Sequence, residues 1–171
     1  MKLILLMVAS ALLCVSCRQN KDIMEKITGN WTTVYLASSA VDLIKEDGPL
    51  RTYFRHIGCN NKCKILNLSF YVKKGGKCKF FRIPGRKGDK NVYEASFEGK
   101  NRFMIKLVTK KMLLFYYYNE QNSNVGRVVG ALARAKQLTE KQMEKYMDLV
   151  AEIGIEDENV QRVVDTDTCP P

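Results

Sequence analysis

The chain has 171 residues and a formal net charge of +10, and 46% of its residues are hydrophobic. This length is typical of one domain with a single sizeable core, so a second domain is not needed. A protein this basic repels its own copies and is attracted to polyanions or acidic surfaces.

Residues 1–17 have the pattern of a secretory signal peptide. Lys2 precedes the apolar run LILLMVASALLCV, and small residues and then the polar stretch RQNKD follow it. The apolar run is short for a transmembrane helix. We therefore predict cleavage after Ser16 or Cys17, and a secreted, extracellular single domain over residues 18–171 with no transmembrane segment. An uncleaved anchor and a lipidated Cys17 are the alternatives. Because the leader contains Lys2 and no acidic residue, the remaining chain carries +9.

Four cysteines lie beyond the leader: Cys59, Cys63, Cys78 and Cys169. An even number in an exported chain indicates two disulfides, and three pairings are open. A Cys59–Cys63 bridge would staple the tight turn CNNKC, whereas a Cys78–Cys169 bridge would tie the C-terminus to the body of the domain. The CxxxC spacing is also that of half a metal site, but the chain has no second thiol pair and a single histidine. We expect no metal and no cofactor.

Short strand-like segments divided by turn residues begin at Trp31. The predicted strands lie near residues 31–38, 50–58, 64–73, 78–83, 91–98, 102–108, 112–119 and 125–133. Most separators are short enough for hairpins, so the sequence predicts an antiparallel up-and-down meander, with a longer loop at residues 38–49. Apolar and polar residues alternate along these segments. Eight strands with one apolar face each close into a small barrel, filled by side chains or holding one small ligand; a packed sandwich fits the same pattern.

A helix is predicted after the strands, within LTEKQMEKYMDLVAEIG. Thr139 and Gln142 are spaced as a capping box, and Gly154 stands where a C-terminal stop belongs. An apolar stripe on an otherwise charged helix predicts packing against the outside of the barrel, with membrane or partner binding as the alternative. The stripe consists of Met143, Tyr146, Met147 and Val150.

Motifs at the start and end of the predicted strands resemble those of the lipocalin family. Gly29 and Trp31 match its first motif, in which the tryptophan lies across the closed end of the barrel. Arg134 matches the arginine that stacks on that tryptophan. The family's second motif is not matched cleanly, since Tyr116 stands where an acid is expected. Longer segments, including GNWTTVYLASSAVDLI, PLRTYFRHIGCNNKC and GIEDENVQRVVDTDTCP, are similar to the branch of odorant-binding proteins, aphrodisin and probasin.

This resemblance implies an all-β fold with one C-terminal helix: an eight-stranded antiparallel up-and-down β-barrel, the lipocalin calyx. It also implies the Cys59–Cys63 and Cys78–Cys169 pairs, and a calyx that carries a small hydrophobic ligand, odorant-, pheromone- or steroid-like. The loop at residues 38–49 would be its lid. Tyr117 and Thr52 would orient a polar ligand group, and Gly130 would leave room in the cup. Packing as ordinary core is the alternative for every predicted ligand-binding residue: Leu50, Thr52, Phe54, Leu66, Leu68, Phe70, Phe81, Ile83, Tyr93, Ala95, Phe97, Phe103, Ile105, Phe115, Tyr117, Gly130 and Leu132.

No catalytic constellation stands out, because His56 has no organised nucleophile motif beside it, so we predict a protein that is not an enzyme. Between Lys73 and Lys90, eight basic residues oppose the single acid Asp89. We expect them to gather on two neighbouring hairpin ends, where their fields add. The alternative function is docking of this basic face on a polyanion or an acidic cell-surface receptor, and a solvated loop is the simpler interpretation. The protein is expected to be a monomer or a weak dimer.

Overall fold

The computed structural model describes residues 24–89, 92–121 and 124–171, so the predicted leader lies outside the described residues. A helical turn covers residues 24–27, and the helix α1 (Glu140–Ile153) lies between the ninth and tenth strands. The strands are β1 (Gly29–Asn30), β2 (Thr32–Ser38), β3 (Thr52–Asn60), β4 (Ile65–Lys74), β5 (Lys77–Lys87), β6 (Tyr93–Ser96), β7 (Lys100–Val108), β8 (Met112–Gln121), β9 (Asn124–Ala133) and β10 (Val160–Arg162).

The strands form one antiparallel sheet in the order β1-β3-β4-β5-β6-β7-β8-β9-β2-β10. Only Trp31 separates β1 from β2, and β1 pairs with β3 whereas β2 pairs with β9. The N-terminal segment therefore joins both ends of the meander and curls it into a barrel. The predicted all-β fold with a C-terminal helix is confirmed. The eight predicted strands correspond to β2–β9, and the short strands β1 and β10 are additional.

The two ends of the barrel differ. One end, called the mouth, carries the loop 39–51 and the turns 75–76 and 97–99. The opposite end, called the floor, carries Trp31 and the turns 61–64 and 109–111. Each strand from β3 to β9 runs between these ends, so the position of a residue along its strand gives its depth in the barrel.

Alternation along the strands builds an inner core. On β4 the side chains of Leu66, Leu68, Phe70 and Val72 are buried, whereas Asn67 between them is half-buried. A β-bulge between Phe54 and His56 shifts the alternation on β3 by one residue, because two residues there oppose one on β4. The inward face of β3 therefore changes parity in the middle of the strand.

The helix α1 packs on the outer wall, as its apolar stripe predicts. The predicted capping box between Thr139 and Gln142 is present, and Gly154 ends the helix with a φ of 71°. A second core lies between helix and barrel, where Tyr146, Leu149 and Val150 contact a wall made by Ala37, Met112, Leu114, Val129 and Ala131. In the part of the chain that the structure describes, no helix has the length and apolar character needed to cross a membrane.

Both disulfides that the resemblance implies are formed. Cys59 is bonded to Cys63 and Cys78 to Cys169, with Cα atoms 4.7 Å and 5.6 Å apart. The first bond closes the turn 61–64 at the floor. The second ties the C-terminal residues to the start of β5.

Candidate functional site

The floor is closed by a stack of Arg134 on Trp31. Trp31 is only 2% exposed, and its Nε1 donates a hydrogen bond to the Ile27 carbonyl at 2.7 Å. The Arg134 guanidinium lies 3.8 Å from the centre of the indole ring and donates to the carbonyls of Asn30 and Thr28. Gly29 has a φ of +124°, and a Cβ there would lie 2.8 Å from the guanidinium. The stack therefore requires glycine at this position.

Above the floor the barrel encloses an apolar cavity of about 70 Å³. Most of its wall is aliphatic or phenylalanine side chains, and Thr52, Asn101 and Tyr117 supply the polar atoms. The predicted ligand-binding residues all line this cavity except Phe81, Tyr93 and Gly130. The full lining is Leu50, Thr52, Phe54, Ile57, Leu66, Leu68, Phe70, Ile83, Ala95, Phe97, Asn101, Phe103, Ile105, Leu113, Phe115, Tyr117 and Leu132.

The three exceptions have different physical causes. Phe81 is paired with Phe70 on the inner face, with ring centres 5.9 Å apart, but its ring packs on Phe70 and Phe97 and does not line the cavity itself. The Tyr93 hydroxyl donates to the Cys63 carbonyl at 2.8 Å, so Tyr93 holds the disulfide turn at the floor. Gly130 does not leave room in the cup, because the Phe115 ring fills its place: a Cβ at residue 130 would lie 2.6 Å from Phe115 Cε1.

Three lining residues were missed from the sequence: Ile57, Asn101 and Leu113. Ile57 points inward only because of the β-bulge on β3, which sequence alternation does not reveal. Leu113 shares the inward parity of Phe115, and Asn101 shares that of Phe103. The alternation of side chains along the strands could therefore have identified both residues as inward-facing. Asn101 was overlooked because its side chain is polar.

The polar groups of the wall are not equivalent. Asn101 is committed to structure, since its amide donates to the Phe97 carbonyl at 2.7 Å and its Oδ1 accepts from Asn119 at 3.0 Å. The hydroxyls of Thr52 and Tyr117 make no hydrogen bond to any residue that the structure describes. Burial raises the pKa of Tyr117 far above its usual value, so its hydroxyl stays protonated at neutral pH. Thr52 and Tyr117 are thus the two lining residues that carry a neutral hydroxyl without a partner among the described residues.

Known proteins with similar sequences identify the family of this chain. Residues 28–167 match the model of the lipocalin / cytosolic fatty-acid binding protein family. The chain belongs to the lipocalin family. It is 53% identical to probasin of Rattus norvegicus, over 99% of this chain and 97% of that protein. It is 35% identical to an odorant-binding protein of Phodopus sungorus, over 85% of this chain and 97% of the other. The predicted relationship to this branch is confirmed.

A solved structure shares the fold of this lipocalin. The crystal structure of aphrodisin, described as a sex pheromone from female hamster, superposes with a TM-score of 0.83 at 30% identity, covering 85% of this chain and 99% of the other. Lipocalins in general bind and transport small molecules rather than catalyse reactions, which agrees with the cavity described above.

The mouth of this lipocalin is covered by the loop 39–51. Ile44 is fully buried, and Leu43 packs so closely on β9 that a Cβ at Gly126 would lie 2.8 Å from its Cδ1. Arg51, which sequence reasoning did not single out, fastens this loop. Its buried guanidinium donates to the Ile44 carbonyl at 2.7 Å and to Thr166 Oγ1 at 2.9 Å. The loop is therefore tied to the C-terminal segment beside the mouth.

The basic residues between Lys73 and Lys90 do not gather on neighbouring hairpin ends, and that prediction is wrong. Lys77 begins β5 at the mouth and Lys87 ends it toward the floor, roughly 33 Å apart at 3.3 Å per residue. This separation is several times the Debye length of about 8 Å at physiological salt, so the fields of the two groups do not add. Lys90 lies outside the described residues.

His56, the single histidine, and the acidic and cysteine side chains were also located. His56 is exposed on β3. Within residues 24–89, 92–121 and 124–171, no group of three His, Cys, Asp or Glu side chains is placed to hold a metal ion.

Proposed function

We propose that this lipocalin is a secreted carrier that holds one small apolar ligand inside the calyx and performs no catalysis. The observation that carries the proposal is the cavity inside the barrel, whose wall is almost wholly apolar. Affinity for such a site comes from burial of apolar ligand surface, at about 25 cal/mol per Å². The lining residues are proposed as the ligand contacts, in place of the alternative that they are only core.

The size of the cavity favours an odorant-sized ligand over a steroid. One water needs about 10–15 Å³ of such space, so a cavity of about 70 Å³ has room for roughly five to seven water-sized groups. Phe115 is held against Gly130 on one side and lies 6.0 Å from Phe54 on another, measured between ring centres. A steroid would require several of these rings to move, whereas a single-ring or slender ligand would require little change.

The two free hydroxyls would give the ligand a preferred orientation. Thr52 lies at the mouth end of β3, and Tyr117 lies farther into the barrel on β8, opposite Phe103. A ligand carbonyl or alcohol can accept a hydrogen bond from either hydroxyl, which is worth about 1 kcal/mol in a buried site. The names of the odorant-binding and pheromone relatives support a ligand of this class.

Secretion is the second part of the proposal. It is supported by the leader pattern of residues 1–17 and by the two disulfides, since such bonds persist in oxidising compartments. Expression of the full chain in cultured secretory cells should release a protein that begins near residue 18. Retention of the whole chain in the cells would contradict it.

The carrier function is tested by titrating refolded residues 18–171 with an environment-sensitive apolar dye. We expect saturable binding near one dye per chain, and displacement by single-ring odorants at lower concentrations than by steroids. Phe70→Arg should abolish binding because Phe70 lines the cavity, whereas Phe80→Arg should not, because Phe80 points outward and is 46% exposed. If Phe70→Arg does not fold, Ala95→Leu offers a milder way to fill the cavity.

The Phe80→Arg control distinguishes dye binding inside the barrel from dye binding on its outer surface. Equal loss in Phe70→Arg and Phe80→Arg would place the dye on the surface. Absence of binding by folded, disulfide-intact protein would mean that the barrel is simply filled, and the carrier function would be wrong.

A second candidate function is docking of the outer face of β5 on a polyanion. The favouring observation is the exposed ring of Phe80, which lies 5.0 Å from that of Tyr71 and next to exposed Arg82. Arg82→Gln should lower the salt concentration that elutes the protein from heparin, and Lys141→Gln on α1 should lower it less. Equal effects of both variants would indicate net charge alone.

A further inference from the structure

Lys79 lies at the mouth on the inward-facing side of β5, and it is exposed to solvent. It pairs with Val72 on β4, which in turn pairs with Thr52 on β3. Side chains of directly paired residues lie on the same face of a sheet, and Val72 belongs to the inner core while Thr52 lines the cavity. The next residue along β5, Phe80, lies on the outer face against Tyr71. Thr52, Val72 and Lys79 therefore form one inward-facing rung at the mouth.

The ammonium group of Lys79 is linked to the cavity by aromatic rings. Its Nζ lies 5.2 Å from the centre of the Phe81 ring. The Phe81 ring in turn lies 4.9 Å from that of Phe97 and 5.9 Å from that of Phe70, and both of these line the cavity. The Lys79 ammonium group is thus held beside the mouth end of the apolar cavity wall.

This cation has no carboxylate partner among the described residues. The ion pairs formed there involve other basic side chains, and Asp42 of the loop over the mouth is engaged by Lys45 at 2.6 Å. Lys74 and Lys77 are opposite each other in the strand register at the end of the same hairpin. Neither side chain makes an ion pair with a described residue. On the β4–β5 side of the mouth, Lys74, Lys77 and Lys79 therefore make no ion pair with a described acidic residue.

We propose that Lys79 binds the carboxylate of an amphipathic ligand whose apolar tail lies in the cavity. The inference rests on the proposed carrier function and names its ligand class more narrowly. The Thr52 hydroxyl, on the same rung two strands away, is the second donor. The two backbones are roughly 10 Å apart, a gap that a carboxylate and the long lysine side chain fill. The wall below this rung runs six residues along β4 to Leu66, roughly 20 Å at 3.3 Å per residue.

The test compares octanoate with octan-1-ol, which have tails of the same length, as competitors for the dye at pH 7.5. Lys79→Met should weaken octanoate about fivefold, the upper range for a solvent-accessible ion pair, and leave octan-1-ol within twofold. Lys87→Met removes the same charge from the other end of β5 and should leave both affinities unchanged. Raising the salt concentration should reduce the octanoate affinity of the unmodified protein and not its octan-1-ol affinity.

The outcomes separate this inference from the carrier function. If octan-1-ol binds but Lys79→Met does not selectively weaken octanoate, the carboxylate site is wrong and the carrier function stands. If Lys79→Met and Lys87→Met weaken octanoate equally, net charge explains the effect and the site is again wrong. If neither compound displaces the dye and the dye itself does not bind, both proposals fail.

Discussion

Gly130→Ala tests whether the Phe115 ring sets the size of the cavity. An added Cβ would lie 2.6 Å from Phe115 Cε1 and 2.9 Å from its Cε2, closer than such atoms approach. The ring must move, and it is buried between Gly130 on β9, Tyr117 on β8 and Phe54 on β3, so there is little room except the cavity. Overpacking of this kind costs about 1–3 kcal/mol. For a domain of this size, a cost of about 2 kcal/mol lowers the melting temperature by roughly 4–8 °C.

The same movement should weaken ligand binding. If the displaced ring takes the space of two ligand methylenes, worth about 0.8 kcal/mol each, dye affinity falls roughly tenfold. Gly58→Ala is the matched control, because Gly58 is also in a strand and a Cβ there would meet its nearest neighbours at an ordinary 3.7 Å. Thermal melts and dye titrations of both variants give the answer. A Gly130→Ala protein with the melting temperature and dye affinity of the unmodified protein would refute the proposed packing.

Three further substitutions probe the floor, the loop over the mouth and the outer core. Arg134→Met should destabilise the protein by about 2 kcal/mol in urea titrations, since it removes the stack on Trp31 and the donors to backbone carbonyls; an unchanged midpoint would contradict this. Arg51→Met leaves the Ile44 carbonyl without its donor, so hydrogen exchange in the loop 39–51 should accelerate at least tenfold for a loss of about 1.4 kcal/mol; unchanged protection would show that the loop does not depend on Arg51. Tyr146→Phe should stabilise the protein by about 1 kcal/mol, because the buried Tyr146 hydroxyl has no hydrogen-bond partner in the described structure. Burial also raises the pKa of Tyr146, so ionisation of the unfolded chain lowers stability as the pH rises past about 10, and the variant should lose less stability there than the unmodified protein.

Features that depend on local patterns were predictable from the sequence. Strand alternation and turn residues located β2–β9, and the spacing of Thr139, Gln142 and Gly154 located both ends of α1. The lipocalin motifs placed Trp31 and Arg134 together at the floor, where they are observed. Strands and helix ends depend on residues that are close in the sequence, and the Trp31–Arg134 contact belongs to a motif that the family shares.

Features that depend on register or on competition for space were not predictable. The bulge between Phe54 and His56 brings Ile57 inward, although strict alternation points it outward. Gly130 was expected to enlarge the cavity, but glycine only permits an empty space and does not prevent the Phe115 ring from filling it. The basic residues were close in sequence, yet β5 carries them to opposite ends of the barrel.

The location of a bound ligand can be measured directly by NMR of leucine methyl groups during titration with octan-1-ol. Leu68 and Leu113 line the cavity, whereas Leu114 and Leu149 lie in the core between barrel and helix. If the protein is a carrier, the methyl chemical shifts of Leu68 and Leu113 should change strongly and saturate at one ligand per chain. Those of Leu114 and Leu149 should change little. Changes confined to surface residues, or none at inner leucines under saturating ligand, would contradict a ligand-binding calyx.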